Sequence, residues 1–251
     1  SGSVGVSVAH DDKELEEGLE RIGRLHDEPV IQEFVHGKSI SIEVIGNGEH
    51  ALSFVTTEVV LDSGYDCKEV RCFPDILDEE DQKVLSQCSE RIAQSLGLNG
   101  LMDVEAILTP KGLRFLEIDA RIPSQTPAAI FTATGINLLE RLVASRLDCL
   151  ACSERGPGSG IYWHLHFKDG ILETTGEKEF SHVESPRMET GLFGSDDSIS
   201  DYAPDKAEWH GTFMVSGSSP AAAEDRRKRV IDRIIDDCKA TSFVDGSPKE
   251  V

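Results

Sequence analysis

Four carboxylates stand at even spacing on either side of a tight turn. Asp103 and Glu105 precede Pro110-Lys111-Gly112, and Glu117 and Asp119 follow it. Two strands joined by that turn set Glu105 against Glu117, and the two-residue period puts Asp103 and Asp119 on the same face. Three or four carboxylates on one sheet face repel each other unless a cation sits between them. Oxygen-only donors of this kind suit Mg²⁺, which keeps waters and bridges to phosphates. The alternative is a solvated acidic face.

Other segments offer pieces of the same chemistry. Ser1-Gly2-Ser3-Val4-Gly5-Val6 presents backbone N–H groups that can fold over phosphates, or it is a hairpin turn. Gln32-Glu33-Phe34-Val35 before Gly37 reads as a strand end, either buried in the ordinary way or offering backbone groups to an adenine edge. His164 and His166 alternate on one strand, but no third ligand is evident nearby, so packing is the favoured reading. Cys149 and Cys152 form a CxxC without a second pair, a weak metal signal, and six cysteines make no disulfide framework.

These residues need elements to hold them. Asp11 and Asp12 lead a helix over 13–25; strands are expected over 29–35, 39–45 and 51–60, with Gly46-Asn47-Gly48 as a hairpin turn. The stretch 61–74 reads as irregular. A helix over 78–96 stops at Gly97, and a strand pair over 100–108 and 112–118 follows. Helices are expected over 128–133 and 135–146, the second capped near Asn137. Strands are expected over 161–167, 188–192 and 212–215, and a last helix over 220–238 with Arg226 to Arg229 on its solvated face. Residues 195–198 and the last ten read as exposed loop and tail. The fold class is α+β with mostly antiparallel sheets flanked by helices.

The chain has 251 residues, 46 acidic and 25 basic, for a net charge of -21. That charge repels a phosphate backbone and excludes non-specific nucleic-acid binding. No apolar run approaches the ~20 residues of a membrane span, and no signal peptide is evident, so the expected compartment is the cytoplasm. A few metal-binding carboxylates do not account for -21; a solvated surface or salt adaptation remains for the rest.

In this order, glycine loop, helix, the 32–37 strand, a long interval, then the 104–121 hairpin, the sequence resembles the ATP-grasp superfamily over roughly residues 1–146. The family's closing Glu-x-Asn-x-Arg reads here Glu117-Ile118-Asp119-Ala120-Arg121. Residues 100–107, 117–127 and 135–138, with Tyr65-Asp66-Cys67, look more closely like the ligases that join 3-methylornithine to L-lysine in pyrrolysine biosynthesis.

The resemblance implies ATP and Mg²⁺ as cofactors and an acyl-phosphate mechanism. Glu105, Glu117 and Asp119 would hold the metal, and Arg121 would act on the transferring phosphoryl group. Ser1, Gly2, Ser3, Val4 and Gly5 would cover the phosphates, and Glu33, Phe34 and Val35 would bind adenine. Glu58, Asp66, Ser124, Gln125 and Thr126 would meet the two amino-acid substrates, with Glu43 and Asp62 as further candidates or plain surface groups. For Ser124 to Thr126 a helix cap is the other reading. Ser39 stands where many members place an acidic residue for ribose. The lobes would divide as 1–50, the remainder of the small lobe; 51–150, the large lobe with the metal; and 151–251, a β-rich subdomain with the final helix. The family carries an N-terminal domain that this sequence lacks, which implies a truncated chain. Another ATP-grasp carboxylate–amine ligase, or a non-catalytic binding remnant, stays open, as does the oligomeric state.

Overall fold

A computed structural model describes residues 6–24, 28–145, 158–181 and 183–248. The elements are α1 (Asp12–Gly23), β1 (Lys38–Asn47), β2 (Ala51–Leu61), β3 (Cys67–Cys72), α2 (Glu79–Ser95), β4 (Asn99–Thr109), β5 (Gly112–Asp119), α3 (Thr126–Thr134) and α4 (Leu138–Ser145). There follow β6 (Ser159–Lys168), β7 (Ile171–Thr174), α5 (Glu177–Phe180), β8 (Arg187–Thr190), β9 (Asp197–Ser200), β10 (Glu208–Gly217), α6 (Pro220–Cys238) and β11 (Ser242–Val244).

One sheet runs in the order β5-β4-β1-β2-β3-β6-β10-β9-β8, with β7 joined to β6 and β11 to β7. Every pairing is antiparallel except β11 with β7. Helices cover both faces. Leu85 and Ala93 of α2 and Val230, Ile231 and Ile234 of α6 join one core with Ile40, Ile42, Val104, Trp163 and Phe213. Ala129, Ile130 and Ala133 of α3 join a second core on the other face with Val55, Val70, Leu101 and Tyr162. Gly160 lets α3 close on β6, since a Cβ there would lie 2.8 Å from Ala133 N.

The helix ends follow their local chemistry. Asp11 and Asp78 side chains accept from the backbone N–H of Glu14 and Asp81 and cap α1 and α2. Asn137 accepts from Leu139 and Glu140 and starts α4. Gly48, at φ 95°, makes the β1–β2 turn. β1 pairs on both edges with strands drawn from 51–150, so residues 38–47 lie inside the same sheet as that segment.

Four expectations are corrected. Residues 29–35 form no strand: Val30 and Ile31 are exposed and no neighbouring strand pairs with them. Cys67–Cys72 is a strand within the stretch read as irregular; its mixed charged and apolar residues hide the pattern because both faces are covered. Asp197–Ser200 is a strand with Ser198 buried, not an exposed loop. Within the last ten residues, Ser242–Val244 pairs with β7, so that stretch is not a free tail. Among the described residues no helix is long and apolar enough to cross a membrane.

Candidate active site

The site grows from the β4–β5 hairpin. Its register sets Asp103 against Asp119 and Glu105 against Glu117, with a bulge between Glu105 and Ala106. β1 lies on the other side of β4 and sets Glu43 against Asp103 and Ser41 against Glu105. Side chains in register share a face, so Glu43, Asp103 and Asp119 form one row and Ser41, Glu105 and Glu117 the next.

Asp103, Glu105 and Asp119 each bring a carboxylate oxygen within 4.8 Å of the others. Glu117 stands opposite Glu105 but is exposed and outside this trio. Asp103 thus joins Glu105 and Asp119 of the expected set, and Glu117 stands opposite Glu105 at the exposed edge of the same face. The bulge lies on the other side of the pair, between Glu105 and Ala106, and leaves Glu105 and Glu117 in register.

Electrostatics at this face are strained toward protonation. Burial pushes Glu43 up to about 8, the nearby Thr126 hydroxyl opposing and the Asp103 charge adding to it. Burial, with Asp119 beside it, raises Asp103 to about 6. Burial, with Glu117 and Asp103 beside it, raises Glu105 to about 7. Among the described residues, neither oxygen of Glu43 nor Oδ1 of Asp103 has a hydrogen-bond partner. Buried carboxylate oxygens without partners, gathered on an oxygen-only face, match the needs of a hard divalent cation.

Arg121 sets Nη2 2.6 Å from Asp119 Oδ2 and is half exposed. It puts a planar cation at the edge of the carboxylate cluster. Gln125 is buried and accepts from Cys67 Sγ at 3.0 Å. Thr126, the first residue of α3, is buried beside Glu43. Ser124 is exposed and lines a shallow apolar recess with Ile122, Phe131 and Leu139. No side-chain bond from Gln125 caps α3, so the helix-cap reading of that residue fails.

Of the residues expected to meet substrate, Glu58 stands on the far face of the sheet, and Asp66 is engaged by backbone at the edge of the site. Glu58 follows Thr57, which faces Ser41 across the ladder, so Glu58 projects from the opposite face. There it lies 3.7 Å from Lys38 Nζ and shares a neighbourhood with Arg71 and Glu224. Asp66 is buried and accepts from the backbone N–H of Lys178 at 2.8 Å, tying the β2–β3 turn to α5. Asp62 accepts from the N–H groups of Gly64 and Gly176 in the same junction.

Glu33, Phe34 and Val35 belong to an extended segment that leads to Gly37. A Cβ at Gly37 would lie 2.3 Å from the Leu108 carbonyl, so the segment passes tightly over the end of β4. Phe34 meets His36 and Tyr65 edge-on at 5.0 and 6.1 Å. Ser1, Gly2, Ser3, Val4 and Gly5, and Cys149 and Cys152, lie outside the described residues. Sequence reasoning missed the depth of Glu43, which the ladder opposite Asp103 explains and which a hairpin-by-hairpin reading of register would have found.

The family model for the ATP-grasp domain matches residues 1–125. A 3-methyl-D-ornithine–L-lysine ligase of Methanosarcina barkeri is 40% identical over 184 residues, covering 72% of this chain and 47% of the relative. The ligase of the same name from Methanosarcina mazei is 39% identical over 202 residues, covering 76% and 51%. The chain thus spans about half the length of the curated relatives it matches. Among solved structures, the biotin carboxylase domain of Hydrogenobacter thermophilus 2-oxoglutarate carboxylase, in complex with MgADP and bicarbonate, superposes with a TM-score of 0.65 at 14% identity. It covers 92% of this chain and 54% of that one. The chain belongs to the ATP-grasp family.

Proposed function

We propose that this chain carries the metal-binding half of an ATP-dependent ligase that joins 3-methylornithine to the ε-amine of L-lysine, a step of pyrrolysine biosynthesis, in the cytoplasm. The observation that carries the reading is the Asp103, Glu105 and Asp119 cluster ending in Arg121. The identity of 40% and 39% to ligases of that name supports the substrate assignment. In this reading residues 38–47 go with 51–150 in the lobe that holds the metal, the residues before them are the remainder of the small lobe, and 151–251 is the β-rich subdomain.

Asp103, Glu105 and Asp119, with Glu117 beside them, would hold Mg²⁺. When bound there, the cation supplies charge neutralisation to the phosphates of ATP. Arg121 offers donors in a fixed fork to the phosphoryl group as it moves to a carboxylate oxygen of 3-methylornithine. That transfer leaves ADP and an acyl phosphate. The lysine ε-amine, having lost its proton, then attacks the acyl carbon, the amide forms and phosphate leaves. Glu43, buried against Thr126 and raised to about 8, would ionise only when a cation, Mg²⁺ or a substrate ammonium group, comes beside it. The segment 33–35 would lie along adenine and the 1–5 loop over the phosphates, keeping water from the acyl phosphate.

The test incubates a chain extended to the full length of the relatives with ATP, Mg²⁺, L-lysine and 3-methylornithine or D-ornithine, with mass spectrometry as the readout. The expected product has the summed mass of the two amino acids minus one water, and it needs all four components. Product from a different pair of amino acids, with none from this one, would replace the substrate assignment by another carboxylate–amine ligase. ATP binding without any product from a substrate panel would identify a non-catalytic binding module.

A further inference from the structure

A second ligand set lies far along the sheet from the carboxylate cluster, outside the residues that match the ATP-grasp model. β6 and β10 set His166 directly opposite His210. Their rings stack with centroids 4.2 Å apart and planes 3° apart. Glu208, two residues before His210 and so on the same face, puts Oε1 3.2 Å from His166 Nε2. One ligand atom from each of the three residues lies within 4.8 Å of the others. From β7, Glu173 stands opposite His166 in register and sets Oε1 3.0 Å from its Nδ1.

His166 is buried and meets a carboxylate at each ring nitrogen. A neutral imidazole carries one N–H. With that proton on Nδ1 and donated to Glu173, Nε2 turns its lone pair toward a carboxylate oxygen. Such a contact is repulsive until a proton or a cation lies between the two atoms. A carboxylate on the far nitrogen is also what fixes the tautomer and ring orientation of a metal-binding histidine.

We propose that His166, His210 and Glu208 bind a divalent d-block cation, Zn²⁺ foremost, with Glu173 orienting His166 from behind. Two imidazoles and one carboxylate, with water in the fourth position, make a tetrahedral zinc set; because the two rings stack in parallel, His210 must first turn about its side-chain torsions to aim a nitrogen at the ion that His166 Nε2 meets. Imidazole donors separate this site chemically from the oxygen-only face that suits Mg²⁺. Lys168 Nζ lies 3.1 Å from Glu208 Oε1 and competes for that oxygen. Its side chain is half exposed and can swing into water when an ion arrives. The ion would clip β6 to β10 near the open end of both strands.

The test uses untagged protein stripped with EDTA and then kept in excess Mg²⁺, so that the oxygen-only cluster is saturated. Zn²⁺ is added, free metal is removed by gel filtration, and retained zinc is counted by mass spectrometry. One equivalent is expected, with a rise in Tm. Co²⁺ in its place is expected to give the strong visible bands of tetrahedral coordination. His210→Ala and Glu208→Gln should each weaken retention at least about tenfold, and Glu173→Gln about 10–100-fold. Lys168→Met should tighten it. His210 and Glu208 are partly exposed, and circular dichroism checks that the variants fold. The proposal is overturned if no zinc is retained, or if retention is unchanged in both His210→Ala and Glu208→Gln. It is equally overturned if ¹⁵N shifts show a doubly protonated His166 that Zn²⁺ does not displace.

Discussion

Glu43 and Asp103 face each other across the β1–β4 ladder, both buried, and among the described residues neither has a basic side chain bonded to it. Two facing carboxylates in a dry sheet are a cost in the metal-free fold. That cost sets the direction of the pH dependence. Glu43 rises to about 8, Glu105 to about 7 and Asp103 to about 6, all above their unfolded values. The folded state therefore holds more protons than the unfolded chain once pH passes the ordinary carboxylate range, and stability falls as pH climbs. In EDTA, Tm should drop between pH 5.5 and pH 8.5. A loss of about 2 kcal/mol corresponds to about 4–8 °C in a domain of this size. Excess Mg²⁺ should flatten the slope, because it favours the ionised carboxylates. Differential scanning fluorimetry at fixed ionic strength checks both; a Tm that rises across this window contradicts the assignment.

Neutral isosteres divide the cluster by role. Glu105→Gln should raise metal-free Tm at pH 8 by removing a buried charge, and should cut Mg·ATP-dependent turnover by about 10²–10³. Glu117→Gln, on the exposed flank, should leave metal-free Tm within about 2 °C and still lower turnover. Equal Tm gains in both variants would mean that Glu117 is as much a part of the buried set as Glu105.

Much of this was open to reading from the chain. The even spacing of Asp103, Glu105, Glu117 and Asp119 around Pro110-Lys111-Gly112 predicts the hairpin, and Asp78 with Gly97 brackets the second helix. Three things were hidden, each by tertiary pairing. Glu43 stands beside Asp103 because β1 pairs with β4, a register that no local pattern announces. Glu58 is on the far face because Thr57 is paired to Ser41, a register that only the β1–β2 alignment fixes. Arg226 and Arg227, expected on a solvated face, instead reach Asp196 and Glu69, partners dozens of residues away.

Arg121 is held by Asp119 at 2.6 Å and remains half exposed, so part of its guanidinium is free to meet an incoming phosphoryl group. Arg121→Lys keeps the charge and loses the fork. If the fork matters, kcat should fall at least about tenfold with KM for ATP changed by less than threefold, since the contact forms with the transferring group. A variant that raises KM alone would place Arg121 in ground-state nucleotide binding.

The C-terminal strand is a structural brace. Lys68 is 3% exposed, and its Nζ lies 2.6 Å from Asp245 Oδ1, just beyond β11. Asp245 also accepts from Thr174 Oγ1 at 2.7 Å and lies 3.3 Å from Arg227 Nη2. Arg227 in turn sits 2.8 Å from the buried Glu69 and over the Trp163 ring at 5.8 Å. Removing the carboxylate leaves a buried ammonium whose remaining partners among the described residues are the Gly246 carbonyl and the Ser247 hydroxyl. Asp245→Ala should therefore cost about 3 kcal/mol, a Tm loss of about 6–12 °C. Lys68→Met in the same chain should recover most of that loss, because the unpaired charge is what costs. Chemical denaturation of the two single variants and the double variant measures the coupling. A double variant no more stable than Asp245→Ala would show that the loss comes from β11 itself coming away from β7, and not from the stranded charge.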